Sequence, residues 1–157
     1  MVGVFAALYA SLVYALPSIS FMAFNVRVAD ALRGLIPYFG YTSIVGIAIG
    51  HFIANLQSPL GPIDLVSVPI AFAASCLTYV ISKRSLVLCF VPIWLSLSLW
   101  VSYMLSLFTG IDYVMMLVII CPQVFVSDYV LPLALAYAFK RVHRMMTRGG
   151  RGLGRAG

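Results

Sequence analysis

"YVMMLVIICPQVFVSDYVLPLALAYAF", residues 113–139, runs for 27 residues with one charged side chain, Asp128. A helix that crosses a bilayer needs about 20 mainly apolar residues, and this stretch exceeds that. Pro122 and Pro132 bracket Gln123, Ser127 and Asp128. Each proline removes an amide donor and frees a carbonyl one turn earlier. The stretch therefore reads as a long membrane helix with a polar, locally bent wall.

The composition agrees. Of 157 residues, 63% are hydrophobic and 9% charged, with a mean hydropathy of +1.07. A soluble domain carries roughly 25% charged residues. There is no glutamate, and the acids are Asp30, Asp64, Asp112 and Asp128. Such a chain cannot clothe itself for water. Divided at its prolines, glycines and charges, it offers six spans, near Val4–Phe21, Asn25–Phe39, Thr42–Leu56, Ile63–Ser82, Leu86–Phe108 and Tyr113–Phe139. The expected fold is all-α, a compact bundle of six transmembrane helices within a membrane domain of residues 1–141.

Lys83 and Arg84 follow the fourth span; Lys140, Arg141 and Arg144 follow the sixth. Cytoplasmic loops are enriched in Lys and Arg, so both clusters and both termini are expected in the cytoplasm of a multi-pass plasma-membrane protein. The N-terminal "MVGVFAALYASLVYALPSIS" lacks the basic region of a signal peptide and reads as a retained first span. Cys76, Cys89 and Cys121 show no C-x-x-C spacing, which suggests reduced thiols and no metal site.

Residues 142–157 form a basic, glycine-rich tail, expected to be disordered. Its natural partner is the anionic inner leaflet, at about 1 kcal/mol per cation. An RNA-binding arm is the competing reading.

Polar residues inside spans carry the functional signal. A charge at the bilayer centre costs at least roughly 2.5–3.5 kcal/mol and normally faces the bundle interior. Asp128 lies twelve residues before Lys140, about 18 Å along a helix and so near the midplane. Gln123 and Ser127 share its helix, four residues apart. His51 and Asn55 have the same spacing; interhelical hydrogen bonds explain His51 adequately, while Asn55 is balanced between packing and ligand contact. Ser43, Gly46, Gly50 and Ala54 read as a close-packing stripe. Asp64 follows a Gly-Pro pair, where it could cap a helix or meet a ligand. Trp100 and Tyr103 suit either an interfacial belt or a stacking surface. Arg27, Asp30 and Arg33 recur at one-turn spacing, readable as a self-compensating interfacial ion pair or as one wall of a site.

Three ordered segments resemble a known family: "VRVADALRGLIPYFG" (26–40), "IVGIAIGHFIANLQSPLGPIDLVSVPIAF" (44–72) and "VFVSDYVLPLALAYAFKR" (124–141). The chain is similar to the QueT-like family, substrate-binding (S) components of energy-coupling factor (ECF) transporters for queuosine precursors. The family's Arg-x-x-Glu-Ala-Leu element appears as Arg27-x-x-Asp30-Ala31-Leu32. Its Gly-x-x-x-Gly and Ala-Asn-Leu elements match Gly46, Gly50 and Ala54-Asn55-Leu56. Its later aspartate matches Asp64, and its Gly-Glu appears as Ser127-Asp128. Arg33 lies outside the matched motif.

The resemblance implies a membrane-embedded subunit that captures a 7-deazaguanine base or queuine. Thiamin, flavin or pterin would make similar demands. Arg27, Asp30, Asn55, Asp64, Trp100, Gln123 and Asp128 are the expected substrate-binding residues. Ala6 and Ala10 match an Ala-x-x-x-Ala face that docks on the transmembrane coupling subunit, with Gly3, Ala7 and Ser11 extending it. No G-x-x-x-x-G-K-[ST] loop is present, so ATP belongs to two partner ATPases and no cofactor is expected in this chain. The other readings are an intramembrane enzyme, for which no hydrolase or metalloprotease motif is present, and a non-transporting scaffold subunit.

Overall fold

The computed structural model describes residues 1–15, 27–58 and 60–153. Residues 16–21 of the first expected span, Asn25 and Val26 of the second, and residues 154–157 of the tail lie outside them. The described elements are helical. In chain order they are α1 (Val2–Ala15), a 3-10 stretch (Val28–Leu35) running into the single turn α2 (Ile36–Phe39), and α3 (Tyr41–Asn55). A 3-10 lead-in (Gly61–Val66) then opens α4 (Ser67–Ser82), and another (Leu88–Phe90) opens α5 (Val91–Thr109). Last come α6 (Tyr113–Phe125), a π-turn (Val126–Val130) and α7 (Leu131–Leu153).

The expected six transmembrane helices are corrected here. Among the described residues, three helices are long and apolar enough to cross a membrane: Gly61–Ser82 and Leu88–Thr109, each of 22 residues, and Tyr113–Val142, of 30. The other candidates are shorter over their described residues. α1 and α3 are apolar but have 14 and 15 residues, about 21–23 Å at 1.5 Å per residue, against a hydrocarbon core of roughly 30 Å. The second candidate is an eight-residue 3-10 stretch and a four-residue turn. It ends at Gly40, whose φ of +57° is costly for any residue with a Cβ.

The short elements are held by close packing. α1 lies along α3, where a Cβ on Gly46 would come within 2.5 Å of the Phe5 Cβ, and one on Gly50 within 2.7 Å of the Ala6 carbonyl and the Tyr9 Cβ. Gly34 of the 3-10 stretch meets the Pro132 carbonyl of α7. Two apolar clusters result. One joins Tyr9, Val13, Ala29, Ile36, Ile44 and Ile47; the other joins α4, α5, α6 and α7 through residues such as Phe90, Ile93, Leu97 and Ile120. The polar residues converge at the seam between the two.

Lys83 and Lys140 lie at one end of the bundle. Phe39 and Tyr38 pack on Phe139, Tyr41 packs on Tyr79, and the Lys83 ammonium sits 4.7 Å from the Tyr79 ring centre. Lys83 and Lys140 therefore share an end, away from the loop that begins at Leu56.

Candidate functional site

A cavity of about 410 Å³ lies at the seam, within the 300–1,000 Å³ range of small-molecule sites. Its two walls differ in chemistry. Arg27, Asp30, Arg33, His51, Asp64, Ser67, Ser127 and Asp128 form the polar wall. The other is aliphatic and methionine-rich: Leu97, Val101, Met104 and Leu105 from α5, then Met116, Ile119, Ile120 and Val124 from α6.

The 3-10 geometry arranges the first charges. Side chains three residues apart eclipse in a 3-10 helix, so Asp30 meets Arg33. Arg33 donates to Asp30 Oδ1 from Nη2 at 2.7 Å and from Nε at 3.0 Å, and the Tyr9 hydroxyl donates to the same oxygen at 2.7 Å. That oxygen is fully occupied by protein donors. Arg33 is 1% exposed, and its Nη1 also reaches Ser75 at 3.5 Å.

Arg27 precedes the stretch with extended backbone (φ −87°, ψ 105°) and turns to a different carboxylate. Its Nη2 pairs with Asp64 Oδ2 at 3.3 Å, and its Nη1 donates to Asn55 Oδ1 at 3.1 Å. The His51 Nε2 lies 2.8 Å from Nη1. A guanidinium has no acceptor, so His51 Nε2 carries a lone pair and the imidazole is neutral, protonated on Nδ1. Asn55 donates in turn to the Asp64 carbonyl and to Ser67 Oγ, both at 3.0 Å. The Asp64 carboxylate makes no cap bond; it serves Arg27.

The third carboxylate owes its position to a helix defect. The Leu131 N–H bonds to the Val126 carbonyl, five residues back, and Pro132 contributes no N–H to resume the regular ladder. This π-turn, a feature found frequently at functional sites, buries the consecutive residues Ser127 and Asp128 together. Ser127 donates to Asp128 Oδ2 at 2.8 Å. Asp128 Oδ1 lies 3.3 Å from Arg33 Nε, an ion-pair distance without hydrogen-bond geometry, and has no hydrogen-bond partner among the described residues. A buried carboxylate oxygen in that state is costly.

Among the expected site residues, Arg27, Asp30, Asp64 and Asp128 line the cavity. Asn55 stands behind Arg27, its amide engaged with protein groups. Gln123 and Trp100 lie off the lining; the Trp100 ring is 6.1 Å from that of Tyr103, and the apolar wall of the cavity is aliphatic and methionine-rich rather than aromatic. Ala6 and Ala10, expected to dock a partner, are buried toward the chain's interior, with Ala6 against Gly50 of α3. The face that α1 leaves exposed carries Gly3, Ala7 and Ser11.

Sequence reasoning set Arg33 and His51 aside and passed over Tyr9. Arg33 met the criterion that singled out Asp128, a charge among apolar neighbours.

A membrane-associated helical chain with a cavity that is charged on one wall and greasy on the other defines a component for small-molecule capture. The chain belongs to the QueT transporter family, whose model matches residues 1–141. It is accordingly a transport component of the queuosine-precursor type and not an enzyme. No curated protein and no solved structure matches it.

Proposed function

We propose that this chain is the membrane-embedded S component of an ECF-type importer and that its cavity takes a 7-deazaguanine queuosine precursor or queuine in the charged seam. The observation that carries the reading is Asp128 Oδ1, 2% exposed as a residue, lining the cavity with no hydrogen-bond donor among the described residues. A guanine-like edge supplies N–H donors to such an oxygen. Arg27 donates to the ring oxygen, and the Leu97–Leu105 and Met116–Val124 wall covers a flat face. Asp30 is committed to Arg33 and Tyr9 and acts as a counter-ion. The seam holds three carboxylates against two guanidiniums, which suits a cationic substituent on the base.

The end bearing Lys83 and Lys140 faces the cytoplasm of the plasma membrane, and the cavity lies toward the other side. A transmembrane coupling subunit and two cytoplasmic ATPases drive release inward. With Ala6 and Ala10 buried, the exposed Gly3, Ala7 and Ser11 face of α1 is the surface left for the coupling subunit.

Mass spectrometry of small molecules retained by the detergent-purified chain tests this reading. A deazaguanine or queuine is expected. A thiamin, flavin or pterin would keep the transporter and change its cargo, while catalytic turnover in place of stoichiometric retention would overturn the proposal. ATP-independent accumulation by this chain alone would contradict the need for partners.

A further inference from the structure

The end of the molecule away from the cavity carries a second cluster that substrate capture does not use. Tyr137, Lys140, Arg141, Arg144 and Met145, on successive turns of α7, line a groove of about 470 Å³. Lys83 and Arg84 lie at the same end. The chain's four acidic side chains are all elsewhere: Asp30, Asp64 and Asp128 line the cavity, and Asp112 caps α6 by accepting the Val114 N–H at 3.0 Å. Lys83, Arg84, Lys140, Arg141 and Arg144 thus give this end a local concentration of positive charge.

Depth and shape narrow the ligand. The span Tyr113–Val142 has 30 residues, about 45 Å of helix, against a hydrocarbon core of roughly 30 Å. Its last turns accordingly emerge at headgroup level. There the cations alternate with exposed apolar side chains, Val142 at 51% and Met145 at 58%, and with the exposed ring of Tyr137. Long basic side chains that reach past apolar neighbours match the boundary between acyl chains and phosphate. An acidic peptide or an RNA would leave that apolar rim in water.

We propose that this groove is a binding site for the phosphodiester headgroup of an anionic membrane phospholipid, held by Lys140, Arg141 and Arg144, with its acyl chains along Tyr137 and Met145. The site is separate from substrate capture and does not rest on the assignment of the cargo.

Native mass spectrometry of the full chain, titrated with phosphatidylglycerol against phosphatidylcholine, tests it. Wild type is expected to bind phosphatidylglycerol preferentially. Each cation is expected to contribute about fivefold, so K140Q/R141Q/R144Q should bind roughly a hundredfold more weakly. Retention of the small-molecule cargo by the triple variant verifies folding, and the single variant R141Q, with its smaller loss, gives a second measurement if the triple variant is poorly expressed. Equal affinity for the two lipids, or undiminished phosphatidylglycerol binding in the variants, would overturn the proposal. So would equally tight binding of soluble glycerol phosphate, which would make the groove a free-anion site. Unchanged lipid binding with loss of the coupling subunit on co-purification would assign the groove to a protein partner instead.

Discussion

Arg27 immediately precedes the eight-residue 3-10 stretch and Arg33 lies within it, yet the fold treats them differently. The Arg33 side chain is 1% exposed and holds Asp30 at 2.7 Å, with Asp128 3.3 Å from its Nε. The Arg27 side chain is 13% exposed, lies 3.3 Å from Asp64, and is steadied by His51 and Asn55. The deep arginine keeps two carboxylates together in a medium that would otherwise separate or neutralise them. The shallower one is braced from behind and offers its charge to the cavity. A buried ion pair and an arginine that lines the cavity can thus sit two turns apart, distinguished by how deeply each is buried.

The sharpest way to break this contrast is to remove the deep charge. Arg33→Ala leaves Asp30 and Asp128 facing each other in a buried seam, and stripping one partner from a buried pair costs about 3–5 kcal/mol. The thermal unfolding midpoint in detergent should collapse, and R33Q/D30N, which removes the pair together, should recover much of it. Arg27→Ala should cost less stability, about 1–3 kcal/mol, and act chiefly on the ligand, weakening binding at least tenfold by titration calorimetry. If the two single variants lose stability equally, the division between them is wrong.

Gly50→Ala probes what both arginines share, because Tyr9 supports Asp30 and His51 supports Arg27 across the α1–α3 contact. A methyl group there meets the Ala6 carbonyl, and overpacking of this kind costs about 1–3 kcal/mol. Gly3→Ala, on the open face of α1, has nothing within 4 Å and should change stability by no more than about 0.5 kcal/mol. The smallest effect belongs to Trp100→Phe. Trp100 lies outside the cavity lining, so ligand affinity should be unchanged in the same calorimetric titration; a large loss would return a stacking role to that ring.

Much of this was legible in the sequence for simple reasons. Hydrocarbon exacts a high cost for charge, so Arg27, Asp30, Asp64 and Asp128 stand out from composition alone, and the structure places all four around one cavity. What could not be read was register. Arg33 was set aside because a motif did not include it, although eclipsed side chains three residues apart in a 3-10 stretch make it the natural partner of Asp30. The joint burial of Ser127 and Asp128 needs a π-turn, and Pro132 was its only trace. The six-span reading gives way to three helices that are long and apolar enough to cross a membrane among the described residues; prolines and glycines mark where helices break, and the described parts of α1 and α3 have 14 and 15 residues. Small-residue stripes show that helices approach closely without showing whose helix approaches; Ala6 and Ala10, expected to dock a partner, are buried in this chain.

Titration of 7-aminomethyl-7-deazaguanine into the purified wild-type chain and into Asp128→Asn tests the central assignment most directly. Wild type should bind one equivalent. The variant should bind roughly ten- to a hundredfold more weakly, the loss of one charge-assisted hydrogen bond, with its unfolding midpoint held or raised, because Arg33 keeps Asp30. Equal affinity in the two proteins would contradict the account.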